Sequence, residues 1–431
     1  MLSRSTPSIA RRAAAGAAAA SRACTCGGGG AVDDVDVAVV GAGLVGTALA
    51  RALAVQPLTR ALRVAIIDRA PPPASPAAPA ASAAAAAGSA GQPAAAAAAQ
   101  GARVSALTPS SGAFLERLGA WGRAEHAPPA APYTHMQVWD ARGEGAVRFS
   151  AADAGLGALG AVVENGRLLA ALHAALRDDA ASGVALMEPA GVESLRLPPG
   201  GDVGGAVASE LAEVALENGR SVRAKLVVGA DGPRSRMRAL ANVGVARWPY
   251  GQQGVVATVR MEGAEQRQAT EQTAWQRFLP TGPLALLPVA PAGYCNVVWS
   301  TTPDHATRLM AMDGVAFAEA VNEALAAPAA IARGALPRLL PRGEPPLPPP
   351  RASEAVGQRG AFPLAMLNAR QYVDRRFALV GDAAHVVHPL AGQGCVLRVL
   401  QVAIMHSRIH ARACNAAVAL PTVPRSWRAS H

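Results

Sequence analysis

At 431 residues the chain exceeds one ordinary core, and much of its 51% hydrophobic share is alanine, which buries little area. Its formal net charge is +10, but Arg4, Arg11, Arg12 and Arg22 lie in an acid-free stretch, 1–32, and Arg398, Arg408, Arg412, Arg425 and Arg428 in another, 396–431. The body between them carries only +1, so no basic face is needed to explain the charge and no nucleic-acid partner is expected.

Segment 1–32 has spaced arginines, abundant Ala and Ser, and no acid, the composition of a cationic amphipathic presequence; a mitochondrial transit peptide is the leading reading, with a chloroplast peptide or a plain disordered extension as alternatives. Four glycines at 27–30 read as a flexible joint to the mature domain. Segment 36–40 (DVAVV) reads as a buried strand, 44–55 as a helix and 63–67 (RVAII) as a second strand closed by Asp68. This is the minimal parallel crossover unit. Residues 70–101 turn to Ala, Pro, Ser and Gly and read as a disordered surface insertion. The apolar-looking part at 77–99 is too weakly hydrophobic, and too interrupted by Pro79 and Pro93, to span a membrane.

Further along, helices are predicted over 112–121 and 163–179, and a hairpin over 212–216 and 221–228 with Asn218-Gly219 at its turn. Short strands at 255–261, 275–279, 284–287 and 296–300 predict a mixed or antiparallel sheet and a second domain. A helix follows at 304–326, a Pro-rich linker at 335–352 and a last short strand at 377–380. Cys24, Cys26, Cys295, Cys395 and Cys414 include no pair with metal spacing and read as free thiols.

Three segments carry chemistry. Gly41-Ala42-Gly43-Leu44-Val45-Gly46 leaves a strand and opens a helix, so its backbone can approach a diphosphate that the helix N-terminus attracts. Asp68, 22 residues past Gly46, suits ribose hydroxyls. That fingerprint alone does not separate NAD from FAD. The second segment, Gly229-Ala230-Asp231-Gly232-Pro233-Arg234-Ser235, sets Asp231 and Gly232 beside the dinucleotide. The third is Gly381-Asp382-Ala383-Ala384-His385, continuing through His388 and Pro389 to Gly392, Gln393 and Gly394. Its small residues let the chain pass a ring system, Asp382 suits a sugar-like hydroxyl, and the Gly392–Gly394 loop offers backbone donors to a flavin edge. His385 and His388 lack a third ligand, so no metal is expected.

In this order the three segments resemble the aromatic-hydroxylase class of flavoprotein monooxygenases. RVSAL at 103–107, VVEN at 162–165, AWQRFLPTGP at 274–283 and VWST at 298–301 look like its UbiH-type ubiquinone-biosynthesis branch, most like the mitochondrial members that hydroxylate C5. The resemblance covers about 36–69 and 102–395. It implies an α/β fold: a Rossmann-like FAD-binding domain (33–120, 160–240 and 372–395) with a mixed or antiparallel β-sheet substrate domain (121–159 and 241–371). It places Gly41, Gly43 and Gly46 on the FAD diphosphate and Asp68 on the adenosine ribose. Asp231 and Gly232 fall near the diphosphate, Gly381 and Asp382 toward the ribityl or diphosphate side, and Arg103 and Arg167 in segments that line the flavin. Pro389, Gly392, Gln393 and Gly394 pack beside the ring system. No catalytic acid or base stands out.

The resemblance further implies a flavin C4a-hydroperoxide as oxidant, O2 and a polyprenylated phenol as substrates, and ferredoxin with its reductase as electron source. It implies other ubiquinone-biosynthesis proteins as partners, and peripheral attachment to the matrix side of the mitochondrial inner membrane. Trp248, Trp275 and Trp299 are candidate pocket residues, with core packing favoured. After Gly394 the family's Asn- and Gly-containing continuation is replaced by Cys395-Val396-Leu397-Arg398, and 396–431 reads as an atypical, disordered tail. Two alternatives therefore stay open: an FAD oxidoreductase acting on another phenol or isoprenoid, and a non-catalytic member of the biosynthetic complex.

Overall fold

The computed structural model describes residues 32–71, 73, 103–122, 127–143, 145–179, 182–187, 189–198, 210–263, 273–326 and 347–390. The expectations for 1–31, for most of the 70–101 insertion, for Cys24, Cys26, Cys395 and Cys414, for Gly392, Gln393 and Gly394 and for the tail lie outside these residues.

The chain opens with β1 (Val32–Val40), α1 (Leu44–Val55) and β2 (Val64–Ile67). Next come β3 (Val104–Leu107), α2 (Pro109–Arg117), β4 (Ala130–Tyr133), β5 (His135–Asp140), β6 (Ala146–Ser150), β7 (Gly160–Glu164) and α3 (Asn165–Asp178). They lead into β8 (Val184–Leu186), β9 (Val192–Arg196), β10 (Ala212–Leu216), β11 (Ser221–Gly229) and α4 (Arg236–Leu240). The second half holds β12 (Val245–Met261), β13 (Thr273–Leu279), β14 (Gly282–Val289), β15 (Tyr294–Thr301), α5 (Pro303–Ala311), α6 (Gly314–Ala326) and β16 (Ala352–Ala369). It ends with β17 (Val373–Asp374), β18 (Phe377–Leu379) and β19 (His385–Val386).

The first sheet runs β17-β18-β11-β1-β2-β8, and β10 and β9 continue antiparallel from β11. Strands β18, β11, β1, β2 and β8 are mutually parallel. The second half of β1, from Val37 to Val40, is buried on both faces, as an inner parallel strand must be. Val37 and Val39 face Leu49 and Leu53 of α1 and Leu168 and Leu172 of α3, whereas Ala38 and Val40 face Met237, Val222 and Val227.

The second sheet, β19-β16-β12-β15-β14-β13-β5-β6, is antiparallel except where β5 meets β13. One face packs on α5 and α6 through Leu309, Phe317 and Val321. A small antiparallel sheet, β3-β7-β4, joins the halves. Val163 of β7 belongs to the core of the first sheet, and its neighbour Val162 packs with Ala285 and Leu287 of the second. Alternation along one strand thus serves two cores.

Several expectations are corrected. Strand β12 begins ten residues before the expected 255, because the chain passes Pro249 and Gly251 through a register shift between Pro249 and Gln252 instead of turning. The expected linker 335–352 lies outside the described residues up to 346, and after it comes an 18-residue strand, β16, that was not expected and that pairs along β12. The expected helix 304–326 is two helices. Asp313 caps the second by accepting from Ala316 N (2.8 Å), while Arg359 donates to the carbonyls of Leu309 (3.2 Å) and Met312 at the end of the first. Residues 160–164 form a strand ahead of α3 instead of its first turn. Trp275 and Trp299 are core residues, but Trp248 is 67% exposed.

Candidate dinucleotide site

Four neighbouring parallel strands deliver the site. Strand β1 ends in the 41–46 loop, β2 in Asp68, β11 in the 229–232 turn and β18 in Gly381-Asp382. All four loops therefore leave the carboxyl edge of one sheet, where ligands of parallel sheets bind. Backbone hydrogen bonds fasten the loops together: Gly41 N donates to Ile67 O (2.8 Å), Ala230 N to Val40 O (2.7 Å) and Val380 N to Gly229 O (3.0 Å).

The glycines are needed sterically. A Cβ on Gly46 would lie 1.9 Å from Gly41 O, and one on Gly41, whose φ is +111°, would lie 2.4 Å from Ala230 O. A Cβ on Gly43 would meet nothing within 4 Å, because Gly43 faces an open cavity. That cavity, about 440 Å³, is lined by Gly41, Gly43, Asp68, Asp231 and Gly232, with Arg69, Arg234 and Arg236 at its rim. A glycine-walled cleft at a helix start, flanked by arginines and one acid, fits the diphosphate and ribose of a dinucleotide.

The carboxylates are held inward. Asp68 accepts from Ala42 N (2.6 Å) and from Ala70 N (2.8 Å). Asp231 accepts from Ser235 Oγ (2.5 Å) and from Met237 N (2.9 Å), so its charge turns toward the start of α4. Ser235 in turn caps α4 by accepting from Arg238 N (2.9 Å). Arg238 bridges two motifs, donating to Ala383 O (2.8 Å) and to Pro233 O (3.0 Å). Gly381 sits in a tight turn at φ +61°, where a Cβ would approach Val45 Cγ2 to 3.0 Å. Asp382 follows it in the same 3-10 turn.

Other expected residues gather elsewhere. Arg103 and Arg167 do not line this cavity, nor do Gly381 and Asp382 in the turn beside it. The Arg103 guanidinium lies 5.6 Å from the centroid of the Phe362 ring, and its carbonyl accepts from Asn165 N (3.1 Å). Arg167 pairs with Glu164 at 3.0 Å, while burial pushes the Glu164 carboxyl up against that pairing. Pro389 follows His388, whose Nε2 lies 3.3 Å from Gln252 Oε1 and whose ring meets Tyr250 edge-on. His385 stacks on Tyr372 instead of pointing at a shared ion with His388. Among the described residues no group of three or more His, Cys, Asp or Glu could hold a metal ion. Nor is any described helix long and apolar enough to cross a membrane.

Two participants carry no sequence signal. Thr47 Oγ1 donates to Ala42 O (2.9 Å), and the fully buried His173 of α3 approaches the same carbonyl from 131 residues away (3.1 Å). Thr47 reaches back to the loop from the first turn of α1, and only the tertiary fold brings His173 there.

The fold and this site define an FAD-dependent monooxygenase. PqsL of Pseudomonas aeruginosa, solved in complex with 2-aminobenzoylacetate, shares the fold with a TM-score of 0.62 and 20% identity, over 90% of this chain and 89% of its own. The chain is 34% identical to the mitochondrial ubiquinone biosynthesis monooxygenase COQ6 of Xenopus tropicalis, over 88% of this chain and 78% of that protein. It is 32% identical to the 3-demethoxyubiquinol 3-hydroxylase of Escherichia coli, over 83% of this chain and 75% of that enzyme. No protein-family profile matches the chain. The chain belongs to the family of ubiquinone biosynthesis monooxygenases, whose cofactor is FAD.

Proposed function

We propose that this chain hydroxylates the aromatic ring of a polyprenylated phenol, at C5, with bound FAD and O2. The observation that supports this most is the convergence of three loops, after the adjacent parallel strands β1, β2 and β11, on one glycine-lined cavity, with the turn after β18 fastened beside them through Val380 N and Gly229 O. Bound there, FAD would supply the activation of dioxygen that side chains lack.

The residues divide the binding. Gly41, Gly43 and Gly46 admit the diphosphate to the start of α1, and Asp68 receives the adenosine ribose while bracing the loop through Ala42 N. Asp231 and Gly232 shape the diphosphate side, and Gly381 and Asp382 the ribityl side. Pro389, with Gly392, Gln393 and Gly394 of the same motif, flanks the ring system. Arg103 and Arg167 stand toward the junction of the sheets, on the ring side of the site. The substrate ring lies between the first sheet and the antiparallel sheet, where exclusion of water protects the oxidant.

Resemblance to the mitochondrial relatives suggests ferredoxin and its reductase as electron source. It also suggests a peripheral position on the matrix side of the inner membrane with other ubiquinone-biosynthesis proteins. The test is the full chain purified with excess FAD, then supplied with reduced ferredoxin, O2 and a short-chain prenylated phenol. A flavin absorption spectrum and a product heavier by one oxygen are expected. A chain that stays colourless rejects the reading. One that holds FAD without hydroxylating any prenylated phenol keeps the cofactor and rejects the reaction.

A further inference from the structure

We propose that His173 is a positioning residue that aims the Gly43 N–H into the dinucleotide cavity by clamping the carbonyl of the Ala42–Gly43 peptide. The inference rests on the FAD reading of the site and adds to it a residue outside the three motifs.

The argument begins with the peptide group. In a trans peptide the C=O of one residue and the N–H of the next point in opposite directions. Fixing Ala42 O therefore fixes Gly43 N–H. Ala42 O points back into the protein, where it meets Thr47 Oγ1 at 2.9 Å and His173 Nε2 at 3.1 Å. Gly43, on the other side, lines the cavity. Asp68 holds the preceding peptide through Ala42 N. The loop is thus gripped on both sides of Ala42 by one residue each from α1, the end of β2 and α3.

The protonation state follows from the partners. A carbonyl only accepts, so the Nε2 that faces it carries the hydrogen. Thr47 Oγ1, 3.3 Å from the same nitrogen, keeps lone pairs to share that hydrogen. Nδ1 is buried and has no hydrogen-bond partner among the described residues, so a second proton there would find no acceptor among them. The surrounding charges do not change this picture. Burial, helped by Arg177 on the same helix, holds the imidazole below its ordinary range, while the hydrogen bond to Ala42 O and the charge of Asp68 pull the other way. Arg51 of α1 is committed to Asp179 (2.5 Å), and Arg167 to Glu164 at the other end of α3. The neutral ring acts as a fixed donor.

A buried histidine could equally be packing, and the split between cofactor affinity and stability separates the two roles. His173→Gln keeps an N–H near the position of Nε2, His173→Leu removes it and fills the space, and His173→Asn stays polar but cannot reach Ala42 O. FAD affinity is read by flavin fluorescence and apo-protein stability by thermal unfolding. His173→Leu is expected to weaken FAD binding about tenfold, the usual worth of one well-placed hydrogen bond, without lowering the apo-protein melting temperature. His173→Gln is expected to bind within about threefold of wild type. If His173→Leu does not fold, His173→Asn carries the same comparison. Unchanged affinity in the variant lacking the donor overturns the inference. So does a His173→Gln variant as weak as that one, or a loss of affinity that follows the loss of melting temperature. A wild-type chain that takes up no FAD rejects the parent reading and this inference with it.

Discussion

In the first sheet β18, β11, β1 and β2 each end in a loop that carries a recognisable motif. In the second, the strands end in turns that do not meet on one cavity, although β19 lies within the third motif. The parallel strands all point the same way, so their loops collect at one edge and can share a ligand. Antiparallel strands alternate direction and scatter their loops to both edges, and their faces are what they offer in common. A cofactor that must be gripped by backbone belongs to the first arrangement. A variable substrate surface belongs to the second.

If this division holds, the largest effect comes from filling the glycine loop. A side chain at Gly46 collides with Gly41 O, at 1.9 Å for Cβ alone, and only movement of α1 away from β1 relieves it. Gly46→Val is expected to abolish FAD binding and to cost at least about 3 kcal/mol. Flavin absorbance after desalting and urea denaturation would measure the two. Normal flavin content would mean that α1 is not held against the cofactor as described.

The counterpart in the second sheet is Arg277, buried on β13 at 2% exposure. It donates to Ala324 O and Leu325 O (both 2.9 Å) and so caps the end of α6. Arg277→Leu is expected to cost about 3 kcal/mol, because two helix-end carbonyls lose a charged donor. FAD affinity, carried by the other sheet, should change less than about twofold at temperatures where the variant stays folded. A large loss of FAD affinity there would show that the halves are coupled more tightly than their separate cores suggest.

These cases also show what was legible in the sequence. Gly41, Gly43, Gly46 and Asp68 announced themselves because a tight turn and a close ligand approach permit few residue types at fixed spacing. Strand β2 and the inner ends of β1 and β11 were legible because strands buried on both faces read as unbroken apolar runs, and the start of β11 because Asn218-Gly219 marks its hairpin. Strand β16 was not. It contains Gly357, Gly360 and Pro363 and shifts register against β12, so neither alternation nor an apolar run survives in the text. Arg238, Thr47 and His173 were hidden for another reason. Each acts through a contact with a backbone carbonyl, and any residue has one, so no composition signal marks the partner. The placement of Arg103 and Arg167 apart from the adenosine-side cavity was equally invisible, since order along the chain does not give distance across the fold.

A smaller effect separates the halves by pH. Burial lowers the His173 pKa in the folded chain below the ordinary 6.5. The unfolded chain therefore takes up the proton first. The stability contributed by the neutral ring is present above about pH 6.5 and is lost as pH falls toward the folded value, with a slope of no more than about 1.4 kcal/mol per pH unit. His173→Gln lacks this term. The stability of wild type relative to His173→Gln, from urea denaturation of the apo-proteins, should therefore decline between pH 7 and pH 5. A constant difference would mean that the imidazole titrates normally where it sits.

The smallest effect is expected at Trp248, and it bears on the substrate half. Trp248 stands 67% exposed on β12, opposite Met366 of β16, with Tyr250 further along the same strand. A large apolar side chain left in water contributes little to folding, so Trp248→Ser should change stability by less than about 0.5 kcal/mol. It does not line the dinucleotide cavity, and FAD affinity should be unchanged. Isolated exposed apolar residues need no explanation, but Trp248, Tyr250 and Met366 on adjacent strands make a patch. If that patch belongs to the route of a prenylated substrate, Trp248→Ser raises KM for a long-tailed phenol more than for a short-tailed one. An equal KM for both tails, with stability and flavin content intact, would remove this patch from the substrate path.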